Sequence, residues 1–269
     1  MGRTGIVEFH QDEEIQDSAE ASALSCLSDV ALRVPCYCEE NVWRLVYRRL
    51  KEDNDSMTGI CKYYVVFISN AQKCCPMYAQ KAKEDRNAPC FWDYHVILIC
   101  CVRESQSLFS RETENPGHQR IETEPENYEK SRAYVFDMDS QLNFPCSFSA
   151  YFDETFRNLD MASSQYGDQF APLFRVVEAE LYLKHFYSDR MHMFNSSDGS
   201  WCADPPSYRC IMNGLKAEHR NMENGRTSNL DDYISMDRLP FCPASVGIKG
   251  QEKNYGEVFS LNEMRQRFT

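Results

Sequence analysis

The sequence predicts an α+β fold with a cysteine-bearing helix that buries one face and a mainly antiparallel sheet. Three observations carry that expectation. After Cys38 the apolar residues Val42, Trp43, Val46, Tyr47 and Leu50 recur at three- and four-residue spacing, the pattern of a helix with one buried face. Lys62–Asn70, Phe91–Val102 and Ala133–Asp137 are β-branched and aromatic runs, which read as central strands. The last two are separated by a polar stretch that cannot build a core, so they are expected to pair as an antiparallel hairpin around it.

The elements follow in order. Residues 1–33 are acidic and polar without a sustained apolar period, and are read as a disordered leader with a short helix near Ala19–Leu27. The Cys38 helix then runs to about Lys51. Glu39 and Glu40 occupy its first turn and Arg44, Arg48, Arg49 and Lys51 follow, an order that complements the helix dipole. Residues 34–269 are expected to form a single domain with polar insertions at about 103–132, 213–229 and 239–254. Within it, Phe148–Leu159 reads as a helix, and Phe174–Ala179 reads as a strand leading into a short helix that ends near Phe186. Turn residues dominate Ser188–Pro206, while Leu230–Met236 and Glu257–Phe268 are ordered terminal elements.

Size and charge narrow the function classes. A chain of 269 residues with 42% hydrophobic and 13% aromatic residues can bury a sizeable core. A net charge of -12 argues against nucleic acid or an acidic membrane as the main partner, yet suits a cationic ligand such as a peptide α-amino group. No apolar run approaches the ~18 residues that span a bilayer. The 13 cysteines come without a secretory signal pattern, so reduced thiols in the cytoplasm, and also the nucleus, are expected. Ile6 stands where a myristoylation signal needs Ser or Thr. Cys36-x-Cys38 is too tight for a zinc knuckle and lacks a second pair, so no metal and no cofactor are expected.

Cys38 stands where a loop turns into a helix. The positive end of the dipole is expected to lower the pKa of a thiol there and enlarge its thiolate fraction. Cys36, two residues earlier, is read as a packing residue. A thiol hydrolase also needs a histidine to hold the proton and a third group to orient the imidazole. His95 lies near the start of an apolar strand and Asp137 closes another. Placing the two directly opposite in a hairpin sets Val102 opposite Lys130, where the polar stretch begins and ends. The insertion would then leave the sheet about seven residues, or ~23 Å, from the site.

These residues carry a resemblance. Cys36–Asn41, Phe67–Asn70, Trp92–Val96, Phe136–Asp139, Phe144–Cys146, Tyr182–Lys184 and Ser188–Met193 resemble, in order, the motifs of the protein N-terminal glutamine amidohydrolase family. So do Pro205–Ile211, Tyr233–Asp237 and Val258–Leu261. The resemblance implies a papain-like or transglutaminase-like core, a catalytic triad of Cys38, His95 and Asp137, and deamidation of N-terminal Gln to Glu with release of ammonia. It implies proteins or peptides with N-terminal Gln as partners and a place in the N-degron pathway; a monomer is expected. Recognition of the α-ammonium needs carboxylate or carbonyl oxygens. Glu39, Glu40 and Asp93 flank the triad and are candidates, though each reads equally well as a helix-start charge or a capping acid. Asp189 borders the pocket or makes a turn, and Trp92 walls the site or fills the core. A papain-like peptidase, a transglutaminase-type acyl transferase and a catalytically inactive binding module are the competing expectations.

Overall fold

The computed structural model describes residues 29–56, 61–103, 131–157, 159, 167–212, 226–237 and 255–269. The helix predicted from apolar spacing is α1, Cys38–Ser56. Strands β1 (Cys61–Ser69), β4 (His95–Arg103), β5 (Ser131–Phe136) and β7 (Leu173–Glu178) match the predicted runs. One expected strand is divided. β3 (Cys90–Trp92) pairs with β2 (Cys75–Met77), and Asp93-Tyr94 breaks the run before β4. Short strands β6 (Cys146–Ser147) and β10 (Glu257–Ser260) complete a six-stranded sheet of order β10-β7-β1-β4-β5-β6, every pairing antiparallel. Strands β8 (Phe194–Asn195) and β9 (Ser200–Trp201) form a small hairpin in the stretch expected to be turns.

Alternation along the strands builds two apolar layers. Tyr63, Val65 and Phe67 of β1 lie with Val96, Leu98 and Cys100 of β4 against α1, α3 (Ala179–His185) and α4 (Leu230–Ile234). Val66 and Ile68 lie with Ile97, Ile99 and Val135 against α2 (Phe148–Thr155) and α5 (Leu261–Phe268). The sheet is therefore covered on both faces, which explains why its strands read as continuous apolar runs.

The β4–β5 hairpin exists, with its register two residues from the expected one: Val102 faces Arg132, and Phe136 ends β5 opposite Leu98. Because side chains alternate with a period of two, this shift leaves His95 and Asp137 on the same face as diagonal neighbours. A shift of one would have separated them. Asp29–Leu32, inside the stretch expected to be a leader, is a short 3₁₀ helix with Leu32 fully buried. The helix expected near Ala19–Leu27 and most of the three expected insertions lie outside the described residues. Among the described residues, no helix is long and apolar enough to cross a membrane.

Candidate active site

Cys38 is the first residue of α1 and only 7% exposed. Asn41, one turn on, clamps the incoming loop: its amide nitrogen donates to the Val34 carbonyl at 2.8 Å and its oxygen accepts from the Val34 N–H at 2.9 Å. That pair of hydrogen bonds sets where the chain enters the helix, and with it the thiol. Cys36, expected to pack, is exposed instead. It holds a left-handed backbone (φ 66) in the turn ahead of the helix, which sends its side chain outward while Tyr37 is fully buried.

His95 opens β4 and is fully buried. Its Nε2 lies 2.9 Å from Asp137 Oδ1. Asp137 also accepts from the Tyr151 hydroxyl at 2.8 Å and from the Asp139 N–H at 2.9 Å, and the Trp92 ring stacks on the imidazole at 5.2 Å. Tyr151 is on α2, so His95 and Asp137 are held from the face opposite α1. Cys38 reaches the end of the same sheet from the α1 face, where the Val96 backbone N–H stabilises its thiolate form. The side-chain partner of the sulfur is Glu39, whose Oε2 accepts from Cys38 Sγ at 3.7 Å. His95 Nδ1 is buried without a hydrogen-bond partner.

The electrostatics overturn one expectation. The Cys38 thiol is pushed well up by burial and then by the charges of Glu39 and Asp139, against the opposing Val96 N–H. The helix dipole is outweighed chiefly by burial, and Glu39, one of the acids placed to complement it, adds its charge beside the sulfur. Burial disfavours the charged form of His95, but Asp137's charge and hydrogen bond outweigh it and the net shift is upward. Burial likewise raises Asp137, and the charge and bond of His95 with the Tyr151 and Asp139 donors bring it below its ordinary value.

The flanking candidates separate by their bonds. Glu40 is fully buried and both its oxygens are taken by Arg190, Nε at 2.7 Å and Nη2 at 2.8 Å. It is a structural charge pair. Asp189 accepts from the Met191 N–H and the Thr227 hydroxyl, the turn reading. Asp93 accepts from the Tyr94 N–H at 2.9 Å and remains exposed, and Trp92 is half-buried beside His95. Trp43, read as core, stacks on Tyr47 at 5.8 Å. Among these candidates, only Glu39 keeps a buried carboxylate oxygen without a hydrogen-bond partner. Sequence reasoning assigned no role to Tyr151, Asp139, Tyr94 or His192. The last three lie inside the quoted motifs, which was the available signal.

His95, Asp137 and Asp139 bring potential metal-ligating atoms within 4.8 Å of one another. The His95–Asp137 hydrogen bond and the Arg33–Asp139 pair at 2.7 Å occupy atoms a cation would need, so the group is read as a hydrogen-bond network.

Helices flanking an antiparallel sheet, with buried cysteine, histidine and aspartate on helix and strand ends, define a class consistent with a papain-like core. A family model described as N-terminal glutamine amidase matches residues 33–268. The chain is 32% identical over 258 residues to a protein N-terminal glutamine amidohydrolase of Bos taurus, covering 96% of this chain and 97% of the relative. It is 33% identical over 240 residues to the Homo sapiens protein of that name, 89% of each chain. The Arabidopsis thaliana protein is 33% identical over 238 residues, 87% of this chain and 90% of the relative. The chain belongs to the N-terminal glutamine amidase family.

Proposed function

We propose that this chain hydrolyses the side-chain amide of an N-terminal glutamine, leaving glutamate and ammonia, with Cys38 as nucleophile, His95 as proton carrier and Asp137 as its orienting group. The family match over nearly the whole chain carries the reading, and the chemistry of the buried site fits it. Asp137 holds His95 through Nε2, which leaves the partnerless Nδ1 to serve the thiol. Cys38 rests as a neutral thiol, so its proton leaves for Nδ1 as the sulfur attacks the amide carbon. Backbone N–H groups at the start of α1, that of Cys38 among them, would stabilise the oxyanion. The imidazolium then protonates the departing ammonia, leaving a thioester. Water, activated by the same nitrogen, releases the glutamyl product. Such a product places the enzyme early in an N-degron pathway, with Gln-initiated proteins as partners.

Mass spectrometry of a Gln-initiated peptide incubated with the wild type and with Cys38→Ala tests reaction and nucleophile together. Deamidation adds about one dalton with the wild type alone and leaves the backbone intact. A cut backbone or an amine crosslink would instead identify the peptidase or acyl-transferase reading, and equal product from Cys38→Ala would remove Cys38.

A further inference from the structure

A second set of polar groups reaches the sulfur of Cys38. Glu39 is fully buried, and its Oε2 accepts from Cys38 Sγ at 3.7 Å and from the Tyr94 hydroxyl at 3.1 Å. The Tyr94 oxygen lies 3.3 Å from His192 Nε2, and the partnerless Glu39 Oε1 faces that same nitrogen at 3.7 Å. Its main chain is pinned too, because the Tyr182 hydroxyl donates to the Glu39 carbonyl at 3.0 Å. Among the described residues, no positive charge answers the carboxyl group. Arg190 spends its charge on Glu40, and burial lowers the pKa of His192, favouring its neutral form. The ionisable groups facing Glu39 are Cys38 and Glu40 on its own helix, Cys36 and Tyr37 before it, Tyr94 and His95 at the sheet end, Tyr182 on α3, and His192. A buried carboxylate in such company is costly and a carboxylic acid is not.

We propose that Glu39 is a further catalytic residue that works as a neutral carboxylic acid, with Tyr94 and His192 as its positioning residues. While Cys38 is a thiol, Sγ–H donates to Oε2. Once His95 Nδ1 has taken that proton, Oε2–H donates to the thiolate. Tyr94 O–H donates to Oε2, and the Nε2–H tautomer of His192 donates to Tyr94. All three donors then point toward the sulfur, an arrangement in which each bond polarises the next. The proton count is unchanged, since the thiol's proton sits on His95 and Glu39 keeps its own. The pKa of Glu39, raised to about 8 by burial and by the neighbouring charge of Glu40, agrees with this state at neutral pH. Above that value Glu39 withdraws its donor and sets a negative charge beside the sulfur.

The inference rests on Cys38 being the nucleophile, and its test is read at the sulfur without any substrate. Cys38 alkylation by iodoacetamide, followed by peptide mass spectrometry, is measured between pH 6 and 10 for the wild type and Glu39→Gln. A carboxamide N–H is a weaker donor, so Glu39→Gln should react several-fold more slowly at pH 7; lacking a charge, it should react about tenfold faster at pH 9. The two profiles should cross. Parallel profiles, with one ratio at every pH, would overturn the proposal. If Glu39→Gln shows no cooperative melt, Tyr94→Phe carries the test: several-fold slower alkylation at pH 7 is expected, and an unchanged rate overturns it. Crossing profiles in a protein that leaves Gln peptides untouched would refute the proposed substrate and keep the role of Glu39.

Discussion

At the scale of single residues, neighbouring acids in one helix turn have opposite electrostatic fates. Glu39 and Glu40 are both fully buried, but Glu40 meets a guanidinium and Glu39 meets a thiol and a phenol. The linkage for Glu39 follows from its displacement from an ordinary 4.5 to about 8. Between those values the folded chain holds a proton that the unfolded chain has released, so stability falls as pH rises through that window. His95 adds a decline of the same sign, because its raised pKa gives stability that is present below its ordinary 6.5 and is lost as pH rises through the folded value. Asp137, whose pKa is lowered, loses its contribution only as pH falls below its ordinary 3.8. Urea midpoints at pH 5 and pH 8 are therefore expected to drop for the wild type and to drop less for Glu39→Gln. Equal drops would mean that Glu39 is not the titrating group.

At the scale of elements, the start of α1 is held from outside. Asn41 grips Val34, Arg190 grips Glu40, and Tyr182 of α3 grips the Glu39 carbonyl. Arg190 also donates to the carbonyls of Pro206, Tyr208 and Arg209, so one side chain ties α1 to the segment after β9. Replacing it with Met leaves Glu40 buried and unpaired, which is expected to cost about 3–5 kcal/mol and lower the melting temperature by on the order of 10 °C. Glu40→Gln in the Arg190→Met background should recover part of that loss, because the orphaned charge causes much of it. Calorimetry of the two variants checks both statements. A single variant as stable as the wild type would mean that Arg190 is replaceable and that other contacts place the helix start.

At the scale of the whole molecule, the site lies at one end of the sheet and the 104–130 segment joins the other. Arg103 pairs directly with Ser131, so the chain leaves and returns at adjacent positions. His95 is at the opposite end of the nine-residue β4, roughly 27 Å away at the rise of an extended strand. Deleting Ser105–Tyr128 is expected to leave the deamidation rate within about twofold, because closing so short a gap asks little of the chain. Loss of activity in a deletion variant that still melts cooperatively would show that the segment reaches the substrate.

Periodicity and residue order in the chain specify α1, the central strands and the β4–β5 hairpin, because burial on one face or two writes itself into local spacing. They also order Cys38, His95 and Asp137, and alternation keeps the last two on one face despite the register difference. The division of one strand at Asp93-Tyr94 and the very short β6, β8 and β9 have too few residues to establish a period. Three-dimensional packing alone assigned the polar partners. Glu40 finds Arg190 at a separation of 150 residues and Arg33 finds Asp139 at 106, distances over which no local pattern carries information. The same packing reversed the expected effect of the helix start on Cys38. A dipole can be inferred from one element, whereas burial and facing charges exist only once helix and sheet have closed on the sulfur.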